Sequence, residues 1–170
     1  MNKVILIQII VTVLSILLGT LLHFTYQLSG NNKIVGLFSS INESTWEHLK
    51  LSFFPIILLG IIEYFFINKY VNNFSEALMI ASTISIILVP ILFYTYENIF
   101  KKHNYIVNIL IFIITVIISQ FIKYKIITMQ DFSTVTTNIL SIFGIVVISI
   151  AFIIFTYNPP KLELFRNPLK

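Results

Sequence analysis

Residues 4–28 read VILIQIIVTVLSILLGTLLHFTYQL, and the reading of this stretch decides the fold. It contains no lysine, arginine, aspartate or glutamate, and His23 is its single imidazole. A run of roughly 25 such residues is long enough to cross the hydrocarbon core of a bilayer. It is too long for the apolar part of a signal peptide and lacks a small-residue cleavage site, so it reads as a first spanning helix.

Working outward, four more apolar runs cover 51–68, 77–97, 105–122 and 137–157. Each is near the roughly 20 residues that a span requires. Their Ile, Leu, Val and Phe content would suit buried strands, but runs this long and unbroken argue for helix. Lipid leaves every backbone amide to be satisfied within the protein, by helices or a closed barrel, and the alternation of a barrel strand is absent. The whole chain agrees: 57% of it is apolar and 11% charged, against about 45–50% and about 25% in soluble domains. The expected architecture is therefore an all-α integral membrane bundle of five transmembrane helices over 1–157. A Pro-containing extended tail over 158–170 follows it. The second span, with Pro55 in its first turns and Glu63 near its far end, departs most from a plain apolar helix.

There is no cysteine, which removes disulfides, thiolate catalysis and Cys-ligated metal centres. The net charge of +4 is spread without a basic run or interleaved aromatics, so membrane lipids are the expected partners and nucleic acid is not. Five crossings put the termini on opposite faces. Lys3, Lys69, Lys123 and Lys125 then share the face of the N-terminus, and Lys33, Lys50, Lys101, Lys102, Lys161, Arg166 and Lys170 share the other. Four against seven favours an outside N-terminus and a cytoplasmic C-terminus in the cell membrane. The same parity gathers His23, the segment 41–50, Glu97 and His103 at the C-terminal face, and leaves Glu63, Glu76 and Asp131 at the opposite one.

Small and polar residues recur at helical spacing within the spans. Gln8, Thr12, Ser15, Gly19 and His23 form one stripe, which turns His23 into the bundle. Ala77, Ala81 and Ser85 form a second, Asn108, Thr115, Ser119 and Lys123 a third, and Thr137, Ser141, Gly144 and Ala151 a fourth. Such seams ordinarily let helices approach closely and hydrogen-bond. Glu63 is expected to pair with Lys69 or Lys123.

Residues 41–55 read INESTWEHLKLSFFP and crowd two carboxylates, a histidine, a tryptophan and a lysine into one segment. Ser44 followed three residues later by Glu47 is a capping box, with Asn42 as an alternative cap. A helix should start here and run through Trp46, His48 and Lys50 into the second span. Helix chemistry alone gives Trp46 the role of interfacial anchor and lets Lys50 snorkel to headgroups. Ionisable groups at membrane depth default, however, to function or mutual pairing. His48 can meet His23 across the first two helices, with Glu47 or Glu97 orienting an imidazole. The candidate binding or catalytic cluster is therefore His23, Glu43, Glu47 and His48. Its candidate metal ligands are His23, Glu47 and His48, for a divalent ion held by two imidazoles and a carboxylate.

Asn42, Glu43, Ser44, Trp46, Glu47, His48 and Lys50, followed by Phe54 and Pro55, resemble the signature of an uncharacterised family of small multi-pass membrane proteins from Firmicutes. The tail NPPKLELFRNPLK is similar to that family's ending at Pro159, Pro160, Phe165, Arg166 and Pro168, with Asn167 where the family carries an acidic residue. The resemblance implies a membrane protein and no activity. Three functions stay open: a polar binding or catalytic site at the cytoplasmic face acting on a lipid-like ligand, a non-enzymatic subunit whose tail docks a protein partner, and a small transporter. The tryptophan-rich five-span sensory proteins fit less well, since this chain has one tryptophan.

Overall fold

The structure is a computed structural model that describes residues 3–101 and 104–167. His103, Lys102 and Pro168 lie outside the described residues. Helix α1 spans Lys3–Leu28, α2 is the short turn Lys33–Gly36, and α3 spans Thr45–Ile67, continued by a 3-10 turn at Asn68–Tyr70. Helices α4 (Phe74–Phe100), α5 (Tyr105–Ile127) and α6 (Val135–Tyr157) follow, and a second 3-10 turn lies at Glu163–Phe165. Among the described residues five helices are long and apolar enough to span a membrane, the number expected from the apolar runs. The second begins at Thr45, six residues before its apolar run, and the fourth continues to Ile127 through Lys123. Lys50 and Lys123, the charged residues nearest these two runs, are each paired inside the bundle.

Helices α1, α3, α4 and α5 form a ring in that order, with α5 closing back on α1 and reaching α3 across the interior. Helix α6 lies outside the ring against α4. Its only buried residues are Phe152 and Thr156. Phe53, Phe54, Ile56, Ala81 and Phe152 make the main apolar core, and Val4, Ile67, Ala77 and Ile127 make a second at the opposite end. The outer surface carries exposed Leu17, Ile62, Phe65, Ile106, Ile139 and Phe143 among many others. A soluble monomer does not expose apolar side chains on this scale.

Three of the four seams read from the sequence are buried between helices, while the fourth, Thr137, Ser141, Gly144 and Ala151 of α6, is only half-buried. Gln8, Ser15 and Gly19 of α1, Ala77, Ala81 and Ser85 of α4, and Thr115, Ser119 and Lys123 of α5 are all buried. The Gln8 amide donates to Gln120 Oε1 at 2.8 Å, and Gln120 donates in turn to Ser15 Oγ at 3.1 Å, tying α1 to α5.

Gly19 answers a defect made elsewhere. Proline has no N–H, so Pro55 leaves the Leu51 carbonyl of α3 without its intrahelical donor. A Cβ on Gly19 would collide with that same oxygen. With hydrogen alone at this position, α1 approaches closely enough for a weak Cα–H···O contact where the amide is missing.

At the end remote from α2, Lys123 donates to Glu63 across the ring, one of the two pairings expected for Glu63. Both side chains are fully buried. Asn73, in the left-handed region at φ 53°, bridges the α3–α4 and α5–α6 connections. Its amide donates to the carbonyls of Ile126 and Gln130, and its Oδ1 accepts from the amide of Phe132 at 2.9 Å. Glu76 is capped by hydroxyls, accepting from Ser133 at 2.8 Å and Thr137 at 2.5 Å.

Candidate functional site

The candidate site is built by the chain between α1 and α3. After α1 the backbone turns at Gly30 and Asn31, both with positive φ. Asn32 then caps α2, accepting from the Ile34 amide at 2.9 Å. Ser39, fully buried, pins the returning strand of chain to the last turns of α1. It accepts from the Tyr26 amide and the Thr25 hydroxyl at 3.0 Å each, and donates to the Leu22 carbonyl. Asn42 then accepts from the Ser44 amide at 2.8 Å, an Asx turn that aims residues 43–48 at the end of α1.

Only half of the expected capping box forms. Ser44 Oγ accepts from the Glu47 amide at 3.4 Å. The Glu47 carboxylate does not return to the serine amide, which Asn42 holds; it takes the Ile41 amide at 2.9 Å and Lys50 Nζ at 2.6 Å. Lys50 does not snorkel. Its ammonium is fully buried and donates also to the Gly36 carbonyl at 2.8 Å and to Thr156 Oγ1 at 3.0 Å. A lysine has three N–H donors, and here all three have acceptors. This pairing holds α2, α3 and α6 to one point.

With Glu47 so engaged, the carboxylate that joins the imidazoles is Glu43, which precedes the helix instead of lying on its face. Glu43 Oε1 is 3.9 Å from His23 Nε2, and Glu43 Oε2 is 3.5 Å from His48 Nε2. The two rings are 5.3 Å apart between centroids. One ligand atom from each of His23, Glu43 and His48 falls within 4.8 Å of the others. Of the three candidate ligands read from the sequence, His23 and His48 are thus brought together with Glu43, while the Glu47 carboxylate is turned to Lys50 and the Ile41 amide. Among the described residues, Glu97 is not one of the groups whose ligand atoms converge here.

The donor set fits a divalent metal. His48 Nδ1 lies 2.9 Å from the Ser44 carbonyl and donates to it, which makes Nε2 the ring nitrogen that faces Glu43. Two imidazoles and one carboxylate are a common ligand set for zinc and related ions, and three protein ligands leave a coordination position open. All three side chains are about a third exposed, so the position is reachable from outside.

Trp46 turns away from this group into an aromatic stack instead of anchoring alone at an interface. Its ring packs on Phe152 at 4.7 Å and on Phe165 of the tail at 4.5 Å, tilted by 29° from parallel. The tail is thus not simply extended: its 3-10 turn folds Phe165 back onto α3. Because Trp46 is the chain's only tryptophan, the protein's tryptophan emission reports on the surroundings of this one ring. Phe165→Ala is expected to shift Trp46 emission to the red and to raise its quenching by iodide, with a stability loss of about 0.5–1.5 kcal/mol. An unchanged spectrum would mean that the tail does not rest there in solution.

The fold and the residues at its α1–α3 end define an all-α bundle of the multi-pass membrane type with a polar corner. The chain belongs to the family of unknown function DUF6512, whose model matches residues 1–170. No curated protein and no solved structure matches it.

Proposed function

We propose that His23, Glu43 and His48 bind a divalent metal at the headgroup level of the membrane, and that the open coordination position takes an oxygen of a lipid-like or amphipathic ligand. The observation that carries this reading is the convergence of the three ligand atoms on one point while the neighbouring carboxylate, Glu47, is kept away by Lys50. When bound, such an ion supplies Lewis acidity toward an oxygen donor. The chain's own part is to fix the ligands: the Ser44 carbonyl orients His48, and Ser39 holds the loop that presents Glu43 to α1.

The charge bias that favours placing this end at the cytoplasmic face survives the burial of two lysines. Lys50 and Lys123 are withdrawn into buried pairs, which leaves three basic residues on the N-terminal face and six on the other, four and seven each less one. The direction of the bias is unchanged. The alternative role, a subunit that recruits a protein partner through 158–170, is less favoured because Phe165 is already occupied by Trp46 of the same chain.

The test is elemental analysis of the purified protein after zinc loading and dialysis. Stoichiometric zinc is expected. Its affinity should fall in His48→Ala and Glu43→Gln by more than the roughly 10–100-fold that loss of an outer hydrogen-bond partner costs. Circular dichroism should show both variants folded. Wild-type protein that retains no zinc, or variants that retain as much, would overturn the reading.

A further inference from the structure

Helix α6 meets the ring at one end and stands off it at the other. Phe152, buried, packs on Phe53 at 5.1 Å and on Phe54 at 5.8 Å between ring centroids, which joins α6 to the first half of α3. Nearer its start α6 has no buried residue. There α3 and α6 flank α4, and a cleft of about 630 Å³ lies between them. Sites for small organic ligands are typically about 300–1,000 Å³. Leu78 of α4 is seated against Gly60 of α3, where an added Cβ would collide with it, so it lines this cleft without filling it.

The lining changes character with depth. The rim lies at the face where α1 begins, and it is polar: Asn68 and Asn72 come from the α3–α4 connection, Asp131 from the α5–α6 connection and Asn138 from the first turn of α6. Below it the lining is apolar. Ile61 and Ile145 each lie seven residues further along their helices from Asn68 and Asn138, about 10 Å by the helical rise. Ile61, Phe65 and Ile142 are exposed on the outer surface, so the cleft also opens sideways. A hydrocarbon chain can therefore enter it from the bilayer while its headgroup stays at the rim.

The rim also selects by charge. Asp131 is the one charged residue that lines the cleft among the described residues, with no lysine or arginine beside it. One Asp131 oxygen accepts from the Ser133 amide at 3.0 Å, and no ion pair among the described residues involves Asp131. Glu76, which takes the Ser133 hydroxyl of the same rim, adds a second carboxylate on this side. A headgroup of net negative charge would meet these acids without a compensating cation, and like charges in contact repel. The amides complete the set. Asn138 accepts from the Ser75 hydroxyl through Oδ1, and Asn72 donates to the Met129 carbonyl at 3.2 Å, which leaves N–H donors on Asn138 and Asn68. A zwitterionic headgroup suits both halves of this rim, its ammonium donating to Asp131 and its phosphate oxygens accepting from the amides. The ammonium must carry N–H, since a trimethylated one cannot donate to the carboxylate.

We propose that this cleft binds one phospholipid whose headgroup ends in a primary ammonium, with an acyl chain laid between α3 and α6 and the ammonium on Asp131. The site lies at the opposite face from His23, Glu43 and His48 and shares no residue with them, so neither assignment rests on the other.

The experiment is native mass spectrometry of the full-length protein, released from dodecyl maltoside after incubation with equal amounts of dioleoyl phosphatidylethanolamine, phosphatidylglycerol and phosphatidylcholine. Wild-type protein should retain one phosphatidylethanolamine per chain, severalfold in excess over either competitor. Asp131→Asn, at an exposed position, should still retain a lipid but lose that preference. Ile142→Trp, at a position more than half exposed and therefore tolerant of the larger side chain, should obstruct the cleft and lose the lipid while circular dichroism shows the bundle folded. Wild-type protein that retains no lipid, or either competitor as readily, would overturn the proposal. So would an undiminished preference in Asp131→Asn or full retention in Ile142→Trp.

Discussion

Lys50→Met is expected to destabilise the folded bundle by about 3–5 kcal/mol, the cost of leaving one partner of a buried ion pair uncompensated. The substitution strands the Glu47 carboxylate, itself 2% exposed, without its cation. It also removes the donor to the Gly36 carbonyl and to Thr156 Oγ1, so α2 and α6 lose their shared tether. Thermal unfolding in mild detergent, followed by circular dichroism, measures the loss. The double variant Glu47→Gln with Lys50→Met should recover a substantial part of it, because the charges are then removed together. A single variant as stable as wild type would show that the pair is solvated and not buried as described.

Gly19→Val should be the next most damaging change, at about 1–3 kcal/mol or more for overpacking a close contact. The added side chain meets the Leu51 carbonyl and the Phe112 ring, and the carbonyl belongs to the backbone and cannot rotate aside. Helix α1 must therefore move away from α3. His23 lies one turn beyond Gly19 on the same stripe, so the displacement also separates it from Glu43 and His48. The variant is expected to lose zinc affinity together with stability, whereas Phe165→Ala should spare zinc affinity. Full zinc binding in Gly19→Val would show that the metal site does not depend on the approach of these two helices.

How far the sequence alone reaches can be judged from these same residues. The helices were legible because each apolar run is long, unbroken and bounded by polar turns; 4–28 alone settles the class. Glu63 was legible as a group in need of a cation, and the parity of the crossings left Lys69 and Lys123 as its candidates. The identity of the site carboxylate was not. Helical spacing puts Glu43 and Glu47 on one face, but Glu43 belongs to an Asx turn, and a turn follows no helical period. Lys50 was misread for a related reason. Two of its three acceptors, the Gly36 carbonyl and Thr156, lie 14 and 106 residues away, and no local pattern announces them. The stack of Phe165 on Trp46 is equally long-range. The cleft between α3 and α6 left no trace in the sequence, where its lining reads as ordinary apolar helix and polar turn.

The saturation of Lys50 bears on biogenesis. Its last acceptor, Thr156, sits near the end of the fifth spanning helix, so a nascent chain with only the first four inserted holds an ammonium that is not yet fully coordinated. The corner can mature only after that final helix has left the ribosome and docked. A chain truncated before that segment would leave one Lys50 N–H without its acceptor in the bundle interior.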